Sequence, residues 1–380
     1  MSILLFLLVF FIIVVSHEFG HFIVAKAGGV RVIEFAIGMG PKLIGFKKNG
    51  TKYVLRALPI GGACVYVTGL EEALEEVMAD DKASDDAVAK SSDNADDKAG
   101  EDAGFLDEMQ GIAYTEAPLL RRIGIVLAGP VFNFIVAYLL ALIVVWYTGS
   151  SNAEITSVMD GYPAQEAGLM PGDIITKMNG SRVYLANEIY VNTYTNKERP
   201  LTIEYERDGK KYTTTIIPKY NEESGRYLMG LDGYGTYVSC KNASIFKYAY
   251  YEERYAFVGT WKSLIALLSG RGSKDDVAGP VGMAQAIDDV KDAAAPYGPW
   301  VVLLNMFNIA MLLSVNLGIL NLLPLPAIDG GKLLFLFVEG LRGKPIPPEK
   351  EGIVHLVGFA LLAILAIVVM YNDILRIIAS

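Results

Sequence analysis

An apolar run from Ile3 to Ala25 is long enough to cross a hydrocarbon core of about 30 Å, yet it carries His17, Glu18 and His21 within it. Three further runs, Leu119 to Tyr147, Val301 to Leu323 and Ile353 to Tyr371, have the same length and character. Together they predict a polytopic α-helical membrane protein with four transmembrane helices. A hydrophobic content of 52% and a mean hydropathy of +0.35 agree with that class. The first run lacks a basic n-region and an A-x-A-like cleavage site, and its apolar character continues past the histidines. It is therefore expected to remain as a span rather than act as a signal peptide.

Between the first two spans, V-R-V-I-E-F-A-I-G-M-G-P and K-Y-V-L-R-A-L-P-I-G-G-A-C-V-Y-V are broken too often by Gly and turn residues for a helix. Lys48-Asn49-Gly50-Thr51 offers a hairpin turn between them. Such a segment can dip into the membrane where protein or a water cavity satisfies its backbone. Between the second and third spans, a stretch from Asn152 to Tyr220 packs Gly, Pro and Asn-Gly signals between short apolar runs. There L-T-I-E-Y-E-R and K-Y-T-T-T-I-I alternate around Asp208-Gly209, as an antiparallel pair requires. This predicts one compact β-rich module. Ser244 to Leu268 reads as an aromatic, amphipathic helix lying against the membrane surface.

The formal charge of -9 is local: residues 71–104 hold 13 Asp/Glu against 3 Lys, so the rest of the chain is nearly neutral. Padded with Ala, Ser and Gly, that block is expected to be an acidic disordered insertion. No basic patch interleaved with aromatics points to nucleic acid. Cys64 and Cys240 form no disulfide framework and no C-x-x-C pair. Lys332, Arg342, Lys344 and Lys350 lie between the third and fourth spans, and Arg121-Arg122 begin the second. The positive-inside rule places those ends in the cytoplasm, with both termini and the β-rich module outside.

On an α-helix, residues four apart share a face, so His17 and His21 can turn two imidazoles to one ion with Glu18 beside them. H-E-x-x-H is the zincin arrangement. A bare match arises by chance fairly often, but an ionisable residue inside a span is costly and normally marks function. An inter-helix hydrogen-bond cluster would explain one histidine, not the spacing of two with an adjacent acid. Catalytic zinc takes three protein ligands and keeps an open position. The third is sought at Asp329 or at His355, the one histidine outside the motif. Asp329 is favoured: Pro324 and Pro326 cannot continue a regular helix, Gly330-Gly331 free the backbone after the acid, and broken helix at membrane depth lines cavities. His355 is expected to be an interface histidine.

H-E-F-G-H in the first span, V-L-A-G-P-V-F-N-F in the second and S-V-N-L-G-I-L-N-L-L-P-L-P-A-I-D-G-G in the third resemble the site-2 protease family of intramembrane zinc metalloproteases. Its bacterial regulator-of-sigma-E protease branch is the most similar. P-I-G-G-A-C-V-Y-V resembles the family's membrane-associated β-segment, G-Y-P-A-Q-E-A-G-L-M-P-G-D-I-I resembles a PDZ domain, and L-S-G-R-G-S-K-D-D-V-A-G-P-V-G also fits the branch. The resemblance implies His17, His21 and Asp329 as zinc ligands and Glu18 as general base. It implies Asn316, Asn321, Gly61 and Gly62 as substrate-binding residues, with an unwound substrate added as a strand to the segment from Gly29 to Val67. Three features depart from it: a single PDZ-like domain where some relatives carry two, the insertion at 71–104, and Lys332 after the Gly pair.

The implied organisation is a first transmembrane helix at 1–26, a membrane-associated β-segment at 27–70, the insertion at 71–104 and a linker at 105–118. A second transmembrane helix follows at 119–148, the PDZ-like domain at 152–220 and an amphipathic helical and linker region at 221–300. The third helix with its N-L-L-P-L-P-A-I-D-G-G loop occupies 301–331 and the fourth helix 353–372. The implied function is a zinc metalloendopeptidase of the bacterial cell membrane that cuts single-span membrane proteins, such as anti-sigma factors or signal-peptide remnants. From Ile3 to His17 is 14 rises, roughly 21 Å of helix, which sets the site past the midplane, towards the cytoplasm. The PDZ-like module would filter substrates by size or bind exposed C-termini, with the filter favoured. Two other classes remain: a zinc transporter, which ion flux in proteoliposomes would reveal, and a PDZ adaptor without catalysis, which an intact H-E-x-x-H disfavours.

Overall fold

The computed structural model describes residues 2–67, 111–222, 224–270 and 279–379; the expected insertion at 71–104 and part of the linker at 105–118 lie outside the described residues. The chain divides into two units, Met1–Val136 with Ala278–Ser380, and Ala137–Val277. Among the described residues four helices are long and apolar enough to cross a membrane: Leu7–Ala27, Leu119–Thr148, Pro299–Leu322 and Glu349–Leu375.

In the first unit, helix α1 (Ser2–Ala27) stops before Gly28-Gly29, where Gly29 takes the left-handed conformation that ends helices. Strands β1 (Val32–Lys48) and β2 (Thr51–Tyr66) follow, joined through Asn49 and Gly50, both at positive φ, the signature of a two-residue hairpin turn. Each strand is long enough to fold back. Residues 34–37 of β1 therefore have partners both at 52–55 and at 62–65 of β2, and among the described residues, residues 62–66 are paired along one edge only.

Helix α2 (Leu119–Thr148) runs from the first unit into the second. It crosses α1 at backbone level: a Cβ at Gly20 would lie 2.5 Å from the carbonyl oxygen of Ala128. Small residues at such crossings let helices meet where lipid gives no hydrophobic drive. Further along the chain come α6 (Pro280–Ala294), α7 (Pro299–Leu322), α8 (Asp329–Arg342) and α9 (Pro348–Ala379). The buried carboxylate of Asp373 on α9 accepts the N–H groups of Gly279 (3.2 Å) and Gly282 (2.8 Å), capping the N-terminus of α6. Arg122 at the start of α2 pairs with Glu339 of α8, with Nη1 at 3.0 Å from Oε2, so one of the basic markers of orientation also anchors α8.

Asp329 was expected in a loop freed by Gly330-Gly331, and here the structure corrects the sequence reading. Asp329 is the first residue of α8, and both glycines are helical. A Cβ at Gly330 would lie 1.9 Å from the oxygen of Leu323, and one at Gly331 would lie 2.4 Å from that of Leu325. The pair is there for close approach: the new helix starts directly against the proline-broken end of the old one.

The second unit carries β3 (Ser150–Ser151), β4 (Ile155–Val158), α3 (Pro163–Glu166), β5 (Ile174–Met178), β6 (Ser181–Arg182), α4 (Ala186–Asn196), β7 (Leu201–Arg207) and β8 (Lys210–Ile216). Short strands β9 (Lys219–Asn221), β10 (Arg226–Leu228), β11 (Leu231–Tyr234) and β12 (Tyr237–Val238) follow, then α5 (Ser244–Leu268). A four-stranded sheet in the order β6-β5-β7-β8 encloses a core including Ile155, Ile175, Met178, Ile189 and Ile203. Because β11 pairs with β4 and β12 with β3, strand structure extends to Val238, past the boundary at residue 220 read from the sequence. Strands of two to four residues show no alternation to read. Helix α5 gives one side to α4, through Arg254 to Glu188 at 2.9 Å and Lys262 to Asn192, and leaves Phe246, Tyr250, Phe257 and Trp261 exposed.

Candidate metal centre

His17 and His21, both buried, lie one turn apart on α1, and Asp329 meets them from the N-terminus of α8. Oδ2 of Asp329 is 3.0 Å from Nε2 of His17 and 3.2 Å from Nε2 of His21, and the two Nε2 atoms are 3.2 Å apart. Ligand atoms about 2.0–2.1 Å from a tetrahedral zinc stand about 3.3 Å from one another, close to this spacing. Among the described residues Asp329 Oδ2 is buried and satisfied by no hydrogen bond, facing only the two imidazole nitrogens, as expected of an atom whose partner is a cation. Two imidazoles and a carboxylate are also the nitrogen and oxygen set that suits zinc. The residues fit the ion.

The other ring nitrogens are held as ligation requires. Nδ1 of His21 donates to the carbonyl of Ile125 on α2 at 2.8 Å, which leaves Nε2 free for the metal. The carboxamide of the fully buried Asn133 lies 3.2 Å from Nδ1 of His17; a half-turn of that amide presents its oxygen to the ring N–H. The backbone of Asn133 is itself held, since Ser314 Oγ of α7 donates to its main-chain carbonyl at 2.8 Å. A Cβ at Gly129 would lie 2.4 Å from His21 Nε2 and 2.7 Å from His17 Cε1, so α2 must present hydrogen alone to the two rings.

Glu18 lies in the same cavity of about 1500 Å³ as the three ligand candidates. Gly62, Ala63, Cys64 and Tyr66 of β2 line it too, along the stretch paired on one edge only. Gly62 comes closest: a Cβ there would lie 2.6 Å from Glu18 Cγ. Gly61, at φ +78°, turns the strand just before this approach. Burial pushes the Cys64 thiol up to about 12.

Of the other residues named from the sequence, Asn321 Nδ2 is 3.4 Å from His17 Nε2 and Asn316 is half-buried earlier on α7; Gly62 lines the cavity, while Asn316, Asn321 and Gly61 are not among its lining residues. His355 is not in the metal group. Asn133, Gly129 and Ser314 were missed. A polar Asn within an apolar span was the available signal for the first; Gly129 lies with it in V-L-A-G-P-V-F-N-F and Ser314 opens S-V-N-L-G, motifs whose individual residues carried no assigned role.

A metal group shared by the membrane-length helix α1 and the shorter α8, with a further carboxylate in the same cavity, is the equipment of a membrane metallohydrolase. The chain belongs to peptidase family M50, the site-2 proteases, whose family model matches residues 5–365. It is similar to the regulator of sigma-W protease RasP of Bacillus subtilis, with 32% identity over 427 residues covering 99% of this chain and 98% of that one. It is likewise similar to the zinc metalloprotease RasP of Shouchella clausii, with 33% identity over 419 residues and 98% of each chain. Among solved structures, the PDZ domain of an SdrC-like protein from Listeria monocytogenes aligns at 23% identity over 21% of this chain and 85% of that chain, with a TM-score of 0.20. The protein is thus a multi-pass membrane zinc metalloprotease, and its family acts on membrane proteins.

Proposed function

We propose that the protein cuts single-span membrane proteins inside their membrane segments, with His17, His21 and Asp329 holding zinc and Glu18 as general base. The observation that carries this reading is the convergence of those three side chains within a cavity that also contains Glu18 and the half-paired stretch of β2. Bound zinc supplies a Lewis acid that polarises a carbonyl and makes water acidic enough to lose a proton near neutral pH. Glu18 takes that proton on its carboxylate and returns it to the leaving amine. Residues 62–66 of β2 give backbone bonds to a substrate helix that has unwound, replacing those it lost. Asn316, Asn321 and the Gly61-Gly62 turn hold the chain in register, Asn321 from beside His17 Nε2 and Gly62 from beside Glu18.

Anti-sigma factors whose outer domains an earlier cut has removed, and signal-peptide remnants, fit as single-span substrates; a similar protein from Bacillus subtilis carries sigma-W regulation in its name. Basic residues at the start of α2 and between α7 and α9 support a cytoplasmic site, with the PDZ-like second unit and both termini outside the bacterial cell membrane. There that unit screens out substrates with bulky outer domains.

Reconstitution with a single-span substrate tests the reading. Mass spectrometry of the products is expected to place the cut within the apolar segment. A cut confined to the aqueous portions would contradict it.

A further inference from the structure

His355 stands outside the metal group but touches the turn that delivers Asp329. Its Nδ1 accepts the N–H of Ala327 at 2.8 Å. Ala327 has φ +74°, a left-handed conformation that a residue with a Cβ keeps only when its surroundings hold it. Three residues further along the same face of α9, Gly358 meets the adjoining residue: a Cβ there would lie 2.3 Å from Pro326 Cβ and 2.9 Å from its carbonyl carbon. The ring of Phe335 on α8 lies 5.5 Å from the imidazole. The Pro326-Ala327 turn is thus gripped by α9, and α8 begins two residues later with Asp329.

The ring's role is chemically defined. Nδ1 as acceptor requires the proton on Nε2, whose nearest charged neighbour is Glu351 Oε1 at 3.6 Å. An apolar side chain at 355 would leave the Ala327 N–H without its acceptor.

We propose that His355 is a positioning residue for the metal site: by accepting the Ala327 N–H it fixes the left-handed turn that aims Asp329 at the two imidazoles. The fourth span then contributes to catalysis without touching metal or substrate. The inference rests on Asp329 as a zinc ligand.

The test uses the full chain in detergent, with zinc affinity read by chelator competition and hydrogen–deuterium exchange read over residues 324–331 in metal-stripped protein. His355→Asn places Oδ1 where Nδ1 was, whereas His355→Gln carries its acceptor one bond further out and His355→Leu has none. His355→Leu and His355→Gln are expected to weaken zinc binding about tenfold or more and to speed exchange of the turn. His355→Asn should stay near wild type in both. Equal behaviour of the Asn and Gln variants, or wild-type values in His355→Leu, overturns the proposal. Asp329→Asn, measured alongside, separates the two levels. If it binds zinc normally, the ligand assignment has failed; if it alone loses zinc, only the positioning role has.

Discussion

Glu18→Gln is expected to keep a full complement of zinc while cleavage of a membrane-spanning substrate falls by about 10²–10⁴-fold, the usual contribution of a general base. The substitution preserves the shape of a side chain packed against Gly62 and removes only its capacity to take a proton. Zinc should survive because Glu18 is not in the group formed by His17, His21 and Asp329. The paired measurement is metal content per chain and turnover on the same purified sample. Undiminished turnover would remove Glu18 from the mechanism, and lost zinc would make it a ligand instead.

Asp329→Asn should fail in the opposite way. The carboxylate supplies the one negative charge among the three ligand candidates to offset a dication held by two neutral imidazoles. Replacing it with a carboxamide should weaken zinc binding beyond the 10- to 100-fold typical of residues that only support a ligand. Activity should fall with occupancy and recover in part when zinc is supplied in excess, whereas no concentration of zinc should restore Glu18→Gln. Zinc titration of turnover distinguishes them, and a zinc-independent loss in Asp329→Asn would assign the acid to substrate rather than metal.

The difference between these variants follows from how each residue is placed, and that also explains what the sequence could disclose. His17 and His21 were legible because a four-residue spacing on a helix fixes two side chains on one face whatever surrounds them. Asp329 was legible more indirectly, since Pro324 and Pro326 mark where a span must break. The meaning of Gly330-Gly331 was not: a hinge and a close approach both demand the absence of a Cβ, and only the carbonyls of Leu323 and Leu325 decide between them. Asn133, Gly129 and the carbonyl of Ile125 were hidden for a related reason. Their importance comes from where α2 crosses α1, a property of packing between distant segments.

In the second unit, Asp208-Gly209, both at positive φ, announced the β7–β8 hairpin, because that turn chemistry is local. Strands β9 to β12 are too short to carry a periodic signal and form through partners such as β3 and β4, far away in sequence.

The account depends on a zinc ion held at membrane depth by two imidazoles and one carboxylate. X-ray absorption at the zinc edge of the purified wild-type protein tests that most directly. One zinc per chain is expected, with only nitrogen and oxygen neighbours at about 2.0–2.1 Å and the scattering of two imidazoles. A sulfur neighbour at about 2.3 Å would bring in Cys64, the one described thiol in the cavity, and would contradict the assignment, as would a zinc without imidazole scattering.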